Sequence, residues 1–173
     1  MLLEFFAAIF TALAAGGVAM LVGRLSGGAL PRWFTPVCAG LALFAYVLWS
    51  EYTWYGRTVE TMPDSLVVVS AHESRQPFRP WTYAVPFVSR FAAVNQDMHR
   101  TNPNVPGKVL TELVLFTRWQ PPSALPIAVD CELMRRADIS DGAEFSETGD
   151  IVGAEWFDQD PADPVMDAAC GAR

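Results

Sequence analysis

The chain has 173 residues, 51% of them hydrophobic, with a formal net charge of −7 and a mean hydropathy of +0.21. This is more apolar than a water-soluble domain needs. It is also acidic, with no basic stripe, which excludes nucleic acid as a partner.

The apolar excess lies almost wholly in the first fifty residues. No charged residue occurs from Phe5 to Gly23 or from Trp33 to Ser50. Each run approaches the roughly 20 residues needed to cross about 30 Å of hydrocarbon. Residues 1–55 are therefore expected to form a transmembrane hairpin with helices at about 4–23 and 33–52. A cleaved secretory signal is the rival reading of the first run. Against it, Met-Leu-Leu-Glu carries no basic leader, the run exceeds the usual apolar stretch of roughly 7 to 15 residues, and a second run follows at once.

Trp33, Trp49, Tyr52, Trp54 and Tyr55 flank the second run and are expected at the headgroup level, where rings with one polar edge settle. Within the first run, Ala8, Ala12, Ala15, Gly16, Ala19 and Gly23 recur three or four apart. They form a candidate small-residue packing stripe, with Ala39, Gly40 and Ala42 as the facing surface or another subunit as its partner. The connector carries Arg24 and Arg32 without an acid, whereas the N-terminus carries only Glu4. The positive-inside tendency then puts the connector in the cytoplasm and both the N-terminus and the C-terminal domain outside, which is the periplasm if the membrane is a bacterial inner membrane.

After the helices the hydrophobic period falls to two. An extramembrane β domain is expected over 56–136, from strands at Leu66–His72, Trp81–Phe91, Val109–Trp119 and Leu125–Leu133. Trp81, Tyr83, Val85, Phe87 and Phe91 share one strand face, with Pro86 marking an edge or bulge, and Leu125, Ile127, Val129, Cys131 and Leu133 share another. Residues 92–107 read as a long polar connection, which makes His99, Arg100 and Asn102 a candidate recognition loop.

Charge then divides the domain. Residues 51–136 hold nine Lys or Arg and eight Asp or Glu, whereas 137–173 hold ten acids and only Arg173. The last segment is thus an acidic tail, expected to be loose unless Cys131 and Cys170 pair in an oxidising compartment and tie it back. That loop of about 40 residues would stabilise the fold by about 4 kcal/mol on chain-entropy grounds. Cys38, within the second helix, reads as a small packed residue.

No catalytic, cofactor or metal motif emerges. His72 and His99 lack metal-ligand spacing, and no Gly-x-Ser-x-Gly, Cys-x-x-Cys or phosphate loop occurs. The run Asp158-Gln-Asp-Pro-Ala-Asp163 lacks the glycine and distal glutamate of a calcium loop.

The expected fold is a membrane α+β protein: a two-helix transmembrane hairpin, a small mainly antiparallel β domain and an acidic C-terminal tail. The expected role is a non-catalytic accessory or assembly subunit of a larger membrane complex. Its partners would be the lipid bilayer, other integral membrane subunits and a basic soluble protein steered by the acidic tail. A free-standing anchored periplasmic domain that binds a ligand or envelope component is the alternative, with an anchored enzyme of unrecognised type behind it.

Overall fold

The computed structural model describes residues 2–139, 144–146, 149–160 and 162–171. The chain divides into two compact units, Met1–Glu60 and Thr61–Arg173.

The first unit holds two helices that are long and apolar enough to cross a membrane, α1 (Leu2–Leu25) and α2 (Phe34–Glu60). Between them, Gly27 and Gly28 take positive φ, the backbone region only glycine enters freely, and so reverse the chain. Helix α2 outruns its expected end by eight residues, because Ser50–Glu60 contains no proline to stop it. Pro63 then disfavours helical geometry in the residue before it. Residues 56–60, assigned from sequence to the β domain, belong to this helix.

The second unit is an antiparallel, curled six-stranded sheet. Its strands are β1 (Leu66–Ser74), β2 (Phe87–Asn102), β3 (Val105–Thr117), β4 (Ser123–Asp130), β5 (Arg135–Asp138) and β8 (Trp156–Asp158), paired in that order. A small ladder of β6 (Glu144–Phe145) and β7 (Ile151–Val152) and a short helix α3 (Pro164–Cys170) complete it. Phe91 and Phe116 face each other across β2 and β3, their rings stacked at 4.6 Å. Such cross-strand aromatic pairs fix register.

Both faces of the sheet are covered, and the C-terminal segment does much of the covering. On one face, Val69, Val94, Leu113, Ile127 and Val129 pack with Val165, Met166 and Ala169 of α3. On the other, Ala128 and Ala137 pack with Ile151, flanked by Trp156. Segment 137–173, expected to be loose unless tied back through Cys170, contributes the end of β5, the edge strand β8 and a core helix. Asp163 caps α3 by accepting a hydrogen bond from the Val165 N–H at 2.7 Å, and Pro164 sits in the first turn, where its missing N–H costs nothing. Cys131 and Cys170 lie at disulfide distance, with their Cα atoms 5.9 Å apart.

Three local expectations are corrected. Residues 81–85 are not strand: Pro80–Tyr83 form a single 3-10 turn, and β2 begins only at Phe87, after Pro86. Residues 92–107 are not a long loop: β2 continues to Asn102 and turns within two residues into β3. Strand β4 ends at Asp130, so Cys131 and Leu133 lie in a tight turn and Leu133 is exposed.

Candidate functional site

Within the helical unit, the small-residue stripe of α1 faces α2. Gly16 and Ala19 are buried, and Ala8, Ala12, Ala15 and Gly23 are half-buried. A Cβ placed on Gly16 would meet the Ala39 Cβ at 3.7 Å, an ordinary contact. Ala39 and Ala42 share this seam, while Gly40 points outward. At the far end of the pair, Glu4 Oε1 lies 4.0 Å from the Arg57 guanidinium and accepts a hydrogen bond from the Ser50 hydroxyl at 3.4 Å. The Arg57 guanidinium also lies 5.1 Å from the centre of the Trp49 ring. Of the five interfacial candidates, Trp33 and Trp49 are exposed and Tyr52 and Tyr55 half-buried, whereas Trp54 is buried, so its ring packs inside the protein.

The second surface is the end of the β2–β3 hairpin. Between Asn95↔Glu112 and Arg100↔Leu110, strand β2 carries four residues against one on β3, a wide bulge that contains His99. Thr111, the one residue opposite, is buried and donates its hydroxyl to the Asn95 carbonyl at 2.8 Å. The turn is closed by the Asn102 side chain, which accepts from the Asn104 N–H at 3.0 Å. His99, Arg100 and Asn102 therefore sit on strand β2 and divide between two shallow recesses. His99 lines one of about 110 Å³ beside Lys108 and Cys170. Arg100 lines one of about 200 Å³ with Leu110, Phe145 and Ile151. Asn102 and Lys108 border both. Among the described residues, His99 Nε2 has no hydrogen-bond partner.

An ion pair that sequence reasoning missed organises this end. Lys108 Nζ donates to Asp150 Oδ1 across 42 positions of sequence. The same ammonium lies 5.3 Å from the centre of the Trp156 ring, with the Arg135 guanidinium 4.9 Å from that centre. The hydrogen bond from Lys108 and a second from the Ile151 N–H hold the Asp150 carboxyl below the usual carboxylate range, against a smaller opposing effect of burial. A depressed carboxyl stabilises the fold above its unfolded pKa, and that stability is lost as pH falls through the folded value. Asp150→Asn is therefore expected to lower the urea midpoint at neutral pH, with the gap to wild type closing as pH falls below the ordinary carboxylate range. A gap of constant size across that range would show that the ion pair is not its origin.

The third surface is the opposite end of the sheet, where the Ser74↔Phe87 and Arg90↔Thr117 pairings put the β1–β2 connection and the β3–β4 turn at the same end, and an Arg118 N–H to Ser89 carbonyl bond of 3.0 Å closes the β2–β3 ladder. Phe78, Trp81, Tyr83, Val85 and Trp119 are all exposed there. Pro77, Pro80 and Pro86 were the sequence signal that this stretch is a built turn and not a strand.

A fourth feature is an acidic surface. Glu155, Asp158, Asp160 and Asp167 are exposed on the C-terminal segment. Among the described residues, no three His, Cys, Asp or Glu side chains converge as metal ligands would. No family model, curated protein or solved structure matches the chain.

Proposed function

We propose that the protein is a non-catalytic accessory or assembly subunit of a larger membrane complex, inserted through the α1–α2 hairpin, with the sheet domain on the outer side. The observation that carries this reading is the exposed apolar surface of the helices. They bury a narrow seam of small residues against each other and leave the large side chains outward, Leu3 84% and Phe10 67% exposed. Exposed to water, that surface is unfavourable at about 25 cal/mol per Å². Lipid tails and neighbouring helices remove the cost, and small residues let a further helix approach closely. Arg24 and Arg32 at the connector set the sidedness, and exposed acids on the C-terminal segment favour a basic soluble partner.

A free-standing ligand-binding domain is the second reading, favoured by the recess beside Lys108 and Asp150. At about 200 Å³ it falls short of the roughly 300 Å³ at which ligand pockets begin. The accessory reading therefore stands first. Its test is purification of the tagged full chain from its native membrane in mild detergent, at low and high salt, followed by mass spectrometry. Recovery of one membrane complex in fixed stoichiometry is the expected result. Recovery of the chain alone at both salts would overturn the reading.

A further inference from the structure

The aromatic end of the sheet domain has features that core packing does not explain. Phe78 is 74% exposed, Tyr83 57%, Trp119 51% and Trp81 40%. Large exposed rings that share one region mark a contact surface, and the Ser74↔Phe87 and Arg90↔Thr117 pairings put the two connections that carry these rings at one end of the sheet. Their backbone is not loose. Thr82, 1% exposed, accepts from the Gln76 N–H at 2.9 Å and donates to the Arg79 carbonyl at 2.7 Å, so one buried hydroxyl ties the loop together. Trp119 has φ 72°, a left-handed conformation that a bulky residue rarely adopts, and the Arg118 guanidinium lies 4.2 Å from its ring centre. A ring kept in a strained, exposed position is a mark of function.

The chemistry of the patch is one-sided. Arg75, Arg79, Arg90 and Arg118 supply four positive charges against one exposed acid, Glu73, which pairs in register with Val88. Pro77, Pro80, Pro86, Pro121 and Pro122 lack backbone N–H groups. The patch thus presents fewer backbone donors that a dry surface would leave unsatisfied. Aromatic rings with arginines beside them match the boundary of a bilayer, where rings sit among headgroups and guanidinium groups pair with phosphates.

We propose that this end of the domain seats on the surface of an anionic phospholipid bilayer. The proposal rests on the anchored reading above, because a tether of five residues between α2 and β1 keeps the bilayer at high effective concentration. A bilayer is favoured over an acidic protein because a tethered domain always has that anionic surface in reach, whereas a soluble partner must be present at matching concentration.

The test is hydroxyl-radical footprinting of the full chain in nanodiscs of phosphatidylcholine alone or of phosphatidylcholine with phosphatidylglycerol. Labelling of Phe78, Trp81, Tyr83 and Trp119 is expected to fall at least about threefold in the anionic discs and to recover at high salt, where the charges are screened. It should also recover in the double variant Arg75→Glu/Arg79→Glu, with Phe145 and Phe157 labelled as before, which reports an intact fold. Equal labelling of the four rings in both discs would overturn the proposal. So would protection that requires a co-purified protein, which would assign the patch to that partner. If the chain does not enter discs, the anchored reading fails by itself. Sedimentation with phosphatidylglycerol vesicles then decides: salt- and arginine-dependent binding supports the patch, and no binding overturns it.

Discussion

Replacing Cys131 or Cys170 with serine is expected to destabilise the oxidised sheet domain by about 4 kcal/mol, on the chain-entropy estimate for a loop of this length. The two residues are 39 positions apart. The link returns the end of α3 to the turn after β4, and so holds Val165, Met166 and Ala169 against the sheet. Without it the seven-residue helix has only its packing and the Asp163 cap, and a helix so short is not stable alone. Val69, Val94, Ile127 and Val129 would be exposed whenever it opened. The measurement is urea unfolding of the full chain in detergent, read by pulse proteolysis under oxidising conditions. Cys38→Ser serves as the control, since that thiol is free and lies in α2. Midpoints for Cys170→Ser and wild type that coincide would mean that packing alone seats the helix.

The approach of these cysteines was legible in the sequence because, of the three in the chain, Cys38 falls in a helix and only two remain beyond it. The two helices were legible for a similar reason, since charge-free runs of that length are too long for a strand and too apolar for a loop. Strands β1, β3 and β4 announced themselves through β-branched residues with buried partners. Strand β2 did not. At its start, Trp81, Tyr83 and Val85 alternate as a strand should, yet the alternation reflects exposure at a bent, proline-bounded turn and not a buried face. At its end, Gln96–Asn102 is polar enough to read as loop, and pairing with β3 resumes only at Arg100 after the bulge. That a Cys131–Cys170 link would tie the acidic segment back was legible, but the helix it carries was not, because the net charge concealed a few well-placed apolar residues, Met166 above all, which is 1% exposed. Asp163-Pro164 was the available cue for α3. The Lys108–Asp150 pair was out of reach, because it depends on how β7 and its flanks fold back beside β3, which no local pattern encodes.

Asp130→Ala is expected to have an effect of the same order, about 3–5 kcal/mol, because it breaks a buried ion pair from one side only. Asp130 is 4% exposed. Its Oδ1 accepts from the Glu132 and Leu133 N–H groups at 3.1 and 3.0 Å, and its Oδ2 accepts from Arg135 Nε and Nη2 at 3.3 and 3.2 Å. The carboxylate therefore closes the turn between β4 and β5 and also fixes the Arg135 guanidinium near the Trp156 ring. Alanine leaves two N–H groups and a partly buried guanidinium without their acceptor, a larger penalty than losing the pair as a whole. Asp130→Asn is expected to cost less, since one oxygen can still accept. Arg135→Met alone should also destabilise, and the double variant Asp130→Asn/Arg135→Met should recover part of the loss. A double-mutant cycle by urea unfolding measures that coupling, and a coupling near zero would locate the role of Asp130 in the turn N–H groups alone. Because the same turn carries Cys131, loosening it also moves the anchor of α3. Loss of Asp130 and loss of the disulfide should therefore be less than additive.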